Sequence, residues 1–401
     1  MSKLATRRRT ACLIALAATG LGASSCTLDI TAPAVAAPES WDPARNTHPD
    51  SVAFQTLLDR YVHEGLPGLV LLVRAPEGAW NGAAGYANLE RAEPMQPTHL
   101  FHAASVTKTY AATAALLTAE DGLIDLDATI STYLPPALYR RIPNGASATV
   151  RQLLGHRSGI PDFSGDLRYD LDFLNDPLGS YPPERMLSYL EGQSALSAPG
   201  GGYFYANANY YILALLLDRA VQGGHAAFIS RRILAPLGLG ATYYRAQPEY
   251  PTPPGLVSSY QDLAGDGRLM NVTDLTTHND QVFMGNAGLI AASEDFADFL
   301  DGLLQGTLLA PASLSAMESW SEPAHYGLGL SYRDTPYGRA LGHSGGDMGA
   351  LAQVRYFPDH DVTLVLLCNA GNDGVPDTLF GRLWDDVMDA ALGPGAPSAP
   401  R

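Results

Sequence analysis

Lysine is almost absent from this chain, which draws attention to the one lysine that lies in its body. Of the 25 Lys and Arg residues among 401, only Lys3 and Lys108 are lysines. An arginine keeps its proton in a protein and cannot act as a base, whereas a desolvated lysine amine can. Lys108 ends the run Ser105-Val106-Thr107-Lys108 at the head of an Ala/Leu-rich segment. On a helix, the i, i+3 spacing brings both side chains to one face. A serine hydroxyl is a poor nucleophile until a base removes its proton, so this pair can carry acyl transfer. Ser-x-x-Lys by itself is a cheap pattern, and the scarcity of lysine gives it weight.

Two further clusters could complete such a site. Tyr205-Ala206-Asn207 follows the Pro199-Gly200-Gly201-Gly202 turn. A phenol beside an amine can relay protons, and an Asn amide can hold a substrate carbonyl. Tyr86-Ala87-Asn88 repeats the pattern but ends a Gly/Ala-rich strand well before Ser105, so Tyr86 reads as structural. In His343-Ser344-Gly345-Gly346, the two glycines let the backbone pass close to a ligand and leave an N–H for an oxyanion. Taken alone, that run is also an ordinary turn. His99 and His102 have no third ligand cluster, so neither zinc nor any other metal or cofactor is expected. There is no Gly-x-Ser-x-Gly elbow, and Cys368 lies in an apolar run that reads as packing.

Taken together and in order, Ser-x-x-Lys, Tyr-x-Asn and His-x-Gly resemble the signature of the penicillin-recognising serine hydrolases. The branch is that of DD-carboxypeptidases, class C β-lactamases and family VIII esterases. Flanking runs resemble it too: Phe101–Ala104, Leu153–Pro161, Asn286–Leu289 and Tyr326–Leu330. The resemblance spans about residues 50–390. It implies an α/β (α+β) fold of β-lactamase/transpeptidase type and an acyl-enzyme mechanism. Ser105 would be the nucleophile, Lys108 the base, Tyr205 the proton shuttle and Asn207 the holder of the substrate amide. His343 would support the proton network or a substrate carboxylate, and the backbone N–H groups of Ser105 and Gly346 would form the oxyanion hole. Ser344 stands where Thr is commoner. His343 stands where class C β-lactamases carry Lys, which favours the peptidase or esterase side.

The expected activity is that of a D-alanyl-D-alanine carboxypeptidase-like peptidase on cell-wall peptides. A carboxylesterase or amidase, a β-lactamase, and a non-catalytic peptidoglycan-binding relative stay open. A carboxypeptidase needs a cation for the terminal carboxylate, best supplied by a bidentate Arg. The family's slot falls near Ser331 here. Arg333, two residues on along an expected strand, shares its face and can reach the site; the alternative is a solvated Arg paired with Asp334.

Around these residues, periodicity predicts helices at Ser51–Glu64, Val106–Glu120, Tyr210–Val221, Ser293–Leu304 and Pro376–Leu392. It predicts strands at Leu69–Val73, Ala79–Ala87, Leu328–Tyr332, Leu351–Phe357 and Val362–Cys368. Strands lie at both ends of the chain and helices in the middle. The expectation is one antiparallel sheet from 48–98 and 286–395, flanked by helices, with a helical domain at 99–285. Residues 1–25 read as an export signal, with Lys3 and Arg7–Arg9 before the short apolar run Ala11–Ala23. Ala23-Ser24-Ser25-Cys26 resembles a lipobox, which would lipidate Cys26 and anchor the chain to a membrane; cleavage after Ala36 is the competing reading. Residues 26–47 read as a tether and 396–401 as a tail. The expected location is the periplasm or cell envelope, and the expected assembly a monomer. A net charge of −16 argues against nucleic acid, and the resemblance implies small-molecule or peptide acyl donors as partners.

Overall fold

Phe54, Leu58 and Tyr61 fall at helical spacing in α1 (Ser51–Glu64), and all three are buried. Gly65 closes the helix at φ +127°, a conformation open to glycine. The computed structural model describes residues 41–176, 179–244, 252–277, 284–371 and 375–393. The leader, Cys26, most of the tether and the tail lie outside the described residues.

A seven-stranded antiparallel sheet organises the chain. Its strands are β1 (Gly68–Ala75), β2 (Gly78–Asn88), β3 (Glu93–Pro94), β4 (Ser331–Thr335), β5 (Gly338–Asp347), β6 (Ala350–Phe357) and β7 (Val362–Cys368). The spatial order is β3-β2-β1-β7-β6-β5-β4, so the N-terminal strands meet the C-terminal ones at β1–β7. Leu71 there faces Leu366, in runs apolar on both faces because both faces are covered. α1 and the C-terminal helix Val375–Leu392 cover one face, joining Phe54 and Leu58 to Leu383, Trp384 and Val387.

The other face receives α4 (Ser293–Leu304) and the Ala104–Val106 turn that leads into α2 (Thr107–Glu120), and α3 (Asn207–Ala220) packs against α2. α2 is buried on nearly every side, and its alanines let neighbouring elements approach closely. Phe299 of α4 stacks on Tyr110 of α2 with ring centroids 3.5 Å apart. One apolar cluster runs from Val70 and Val354 in the sheet through α2 to Leu187 and Leu217 in the helical part.

Two strands differ from their expected form. The stretch expected as Leu328–Tyr332 becomes a strand only at Ser331, because Gly329 turns at φ +77° against Ala112 and Lys108 of α2. β5, which carries the His-x-Gly run, has no apolar alternation to betray it: Gly338-Arg-Ala-Leu-Gly-His-Ser-Gly-Gly-Asp347.

Phe299 is 1% exposed. Phe299→Ala should lower stability by about 3–5 kcal/mol, the usual loss for emptying a buried aromatic site, read as a reduced urea midpoint at unchanged m-value.

Candidate active site

Ser105 sits in a single 3-10 turn, Ala104–Val106, that leads into α2. Ala104 before it is held at φ +45°, a strained setting for a residue with a side chain. The strain persists because β5 presses on this turn. A side chain at Gly345 would collide with the carbonyl of Ala103 and crowd Ala104. That close approach explains why glycine follows His343-Ser344.

Lys108 lies one turn further on and is fully buried. Its Nζ donates to Ser105 Oγ at 2.9 Å, Asn207 Oδ1 at 2.8 Å and the Asn286 carbonyl at 2.9 Å. Burial away from water lowers its pKa to about 7, against an opposing pull from Asp162 and Asp347. A useful fraction of the amine is therefore neutral near neutrality and can accept the Ser105 proton.

Tyr205 and Asn207 come from the segment entering α3. The Lys108 amine lies 4.9 Å from the Tyr205 ring centre. The Tyr205 phenol is hydrogen-bonded to Ser105, while desolvation pushes its pKa well up, so it stays protonated. Asp162 caps the start of α3, accepting from Asn207 N at 2.9 Å and Ala208 N at 3.3 Å. It thereby fixes Asn207 and places a negative charge near Lys108. His156 underlies the same segment: its Nδ1 accepts from Ala206 N at 3.2 Å, and its ring centre is 4.2 Å from that of Tyr205. His156 is thus a buried structural hydrogen-bonder.

His343 stands behind the pocket. Its Nδ1 is 2.6 Å from the Ser344 carbonyl, which can only accept, so Nδ1 carries the proton. Nε2 is then bare and accepts from the Tyr326 hydroxyl at 3.1 Å. Burial, with the Lys108 charge, lowers its pKa to about 3, so it is a neutral brace. Gly346 lines the pocket with Ser105, Tyr205, Asn207, Asn286 and Asp347. Among the described residues β4 pairs with β5 only as far as Gly342, and the His343–Asp347 edge has no strand partner on that side.

Arg333 does not join this site. It pairs with Ala340, whose side chain packs among α1 and the C-terminal helix, so it projects from the face opposite His343. It is exposed. Its neighbour Asp334 approaches Arg339 instead, at 3.6 Å. Ser331 on the same face is taken by buried Arg355, whose Nη1 donates to Ser331 Oγ at 2.9 Å. The β4–β5 register, with Arg333 opposite Ala340 and Ser331 opposite Gly342, puts this whole row on the outer face.

Sequence reasoning missed Asp162, Asn286 and Asp347. Asp162 directly follows the Gly159-Ile160-Pro161 run, and Asp347 directly follows Gly346, so each borders a motif without belonging to it. Asn286 heads the family-like run Asn286–Leu289, but nothing there reveals that its backbone carbonyl would face Lys108. Among the described residues no cluster of His, Cys, Asp and Glu could hold a metal ion.

The Beta-lactamase family model matches residues 54–385. The chain belongs to that family. It is a serine hydrolase with the β-lactamase/transpeptidase-like fold. Penicillin-binding protein 4* of Bacillus subtilis strain 168 is 26% identical over 367 residues, covering 83% of this chain and 76% of the relative. A D-aminopeptidase of Brucella anthropi is 27% identical over 343 residues, covering 82% of this chain but 60% of the relative. Among solved structures, a D-stereospecific amidohydrolase from a Streptomyces species superposes with TM-score 0.73 at 26% identity, covering 87% of this chain and 100% of the other.

Lys108→Arg keeps the charge but removes the proton acceptor, so Ser105 acylation should fall about 10³-fold. Acylation should rise with pH through about 7 as Lys108 loses its proton. Asp162→Asn removes a charge that favours protonated Lys108, so the acid limb should move to lower pH in a pH–rate profile.

Proposed function

We propose that this serine hydrolase cleaves amide bonds of small acyl donors that carry a free amine beside the scissile carbonyl, in the manner of a D-amino-acid amidase or aminopeptidase. Neutral Lys108 takes the Ser105 proton, and Oγ attacks the carbonyl carbon. The oxyanion is received by the N–H groups of Ser105 and Gly346. Tyr205 passes a proton to the departing amine, and Asn207 holds the substrate amide. Water then releases the acyl group from Ser105.

One observation carries the substrate reading: the charge around Ser105. The pocket, about 220 Å³, has Asp347 in its lining and no described Lys or Arg. It opens past Asp347 into a chamber of about 510 Å³ that includes Tyr169, Phe173, Leu263, Leu275 and Met348, with Asp170 as a second acid. Asn286, 5% exposed, has a buried Oδ1 without a hydrogen-bond partner among the described residues, an acceptor suited to an N–H. Such a lining attracts an ammonium and disfavours a carboxylate, and the chamber suits an apolar side chain. The D-aminopeptidase and D-stereospecific amidohydrolase likenesses support the D configuration.

Carboxypeptidase action on D-Ala-D-Ala peptides is the second reading, supported by likeness to penicillin-binding protein 4*. With Arg333 turned away, that reading lacks its carboxylate ligand. We further propose that residues 1–25 direct export to the cell envelope, with Cys26 as a lipid anchor.

A substrate panel tests this: D-phenylalanine amide, its N-acetyl derivative, a D-Ala-D-Ala peptide, p-nitrophenyl butyrate and nitrocefin. The free-amine amide should have the highest kcat/KM. Asp347→Asn should reduce that value by about 30- to 150-fold, the loss of a charged hydrogen bond, and leave p-nitrophenyl butyrate nearly unchanged. Preference for the D-Ala-D-Ala peptide would restore the carboxypeptidase reading.

A further inference from the structure

Away from the pocket lies a second chain of polar groups, none of which touches the reacting atoms. Asp218 sits near the end of α3, His225 opens the next helix, and Tyr244 ends the strand Thr242–Tyr244. His225 and Tyr244 are each 2% exposed. His225 Nδ1 lies 2.6 Å from Asp218 Oδ1, and His225 Nε2 lies 2.9 Å from Tyr244 Oη. Tyr244 Oη in turn accepts from the backbone N–H of Gly285 at 2.6 Å.

The proton positions follow by elimination. The ionised carboxylate only accepts, so Nδ1 carries the hydrogen. The buried Tyr244 hydroxyl donates to Nε2, the acceptor within its reach among the described residues. The tyrosine oxygen is left to receive Gly285 N–H. Every donor along the chain points toward Asp218.

The far end of this chain reaches the base. Gly285 precedes Asn286, whose carbonyl accepts from Lys108 Nζ at 2.9 Å. Gly285 itself turns at φ +69°, where an added side chain would collide with the Tyr210 carbonyl. The other end of the loop is tied to the nucleophile's own elements: Ala103 N donates to Leu289 O at 2.8 Å, and Leu289 N to Thr107 Oγ1 at 3.2 Å. The segment is thus pinned at Leu289 by the Ser105 turn and at Gly285 by Tyr244.

We infer that Asp218, His225 and Tyr244 are positioning residues that hold the Gly285–Asn286 peptide so that its carbonyl meets the Lys108 amine. This rests on the Ser105–Lys108 acylation chemistry but not on the choice of substrate. An aligned carbonyl stabilises the charged amine more than the neutral one. Releasing it should lower the Lys108 pKa further and also loosen the amine from Ser105. The other groups facing Lys108 are the Asn207 side chain, the rings of Tyr205 and Tyr210, the carboxylates of Asp162 and Asp347, and neutral His156 and His343. Substitution at Tyr244 or His225 leaves all of them in the chain.

The experiment is Ser105 labelling by a fluorophosphonate, which needs no identified substrate, followed across neutral pH for the parent, Tyr244→Phe and His225→Gln. Thermal unfolding of each variant is read alongside. In the folded variants the plateau rate should fall about 10- to 100-fold, as expected for a displaced reacting group, and the acid limb should move to lower pH. His225→Gln keeps the Tyr244 hydroxyl, so it reads the relay even if Tyr244→Phe does not fold. An unchanged acid limb in a folded variant, with or without slower labelling, would overturn the inference, because a merely structural role does not move it. Labelling shifted as expected alongside a failed amide panel would leave the relay standing and reject only the substrate assignment.

Discussion

A fully buried amine that must alternate between charged and neutral forms is the constraint around which this protein is arranged. Water cannot solvate Lys108, so the fold supplies three oxygens at its tip, from Ser105, Asn207 and the Asn286 backbone. Each comes from a different part of the chain, and each needs its own support. Asp162 caps the helix that carries Asn207, β5 presses Ser105 into its strained turn, and Tyr244 and Gly285 fix the carbonyl. Too many charges nearby would hold the amine protonated, while none would leave it desolvated and mis-set. Asp162 and Asp347 offset part of the burial effect without pairing directly.

The sheet meets this need through its register as much as its composition. β4 pairs with the first half of β5 and stops at Gly342. The remaining half offers backbone groups to the pocket, and the glycines there allow contact with the Ser105 turn. Alternation along the same two strands decides which side chains face the chemistry. His343 falls on the inner face as a neutral brace, while Arg333 falls on the outer one.

Much of this architecture is legible in the amino-acid sequence. Ser51–Glu64, Ser293–Leu304 and Val362–Cys368 match their expected bounds because their apolar residues repeat cleanly. Ser105, Lys108, Tyr205 and Asn207 converge because their motifs are local signals of a shared geometry. What stays hidden depends on distant pairing. β5 has a glycine-rich pattern that mimics a loop, and the late start of β4 reflects Gly329 packing on Ala112. Asp162 and the Asn286 carbonyl act through backbone contacts about 45 and 178 residues away, which no local pattern encodes.

Complete burial of Lys108 also decides how the molecule can be handled on a surface. Between residues 41 and 393 it is the only lysine, and it is 0% exposed. Aldehyde or succinimidyl supports, which grip proteins through exposed lysines, therefore find no side-chain anchor on the folded body. Attachment through carboxylates has many footholds, since Asp and Glu number 41 in the chain. One of them, exposed Asp385 on the C-terminal helix, lies across the sheet from α2, so an attachment made there leaves the pocket side free.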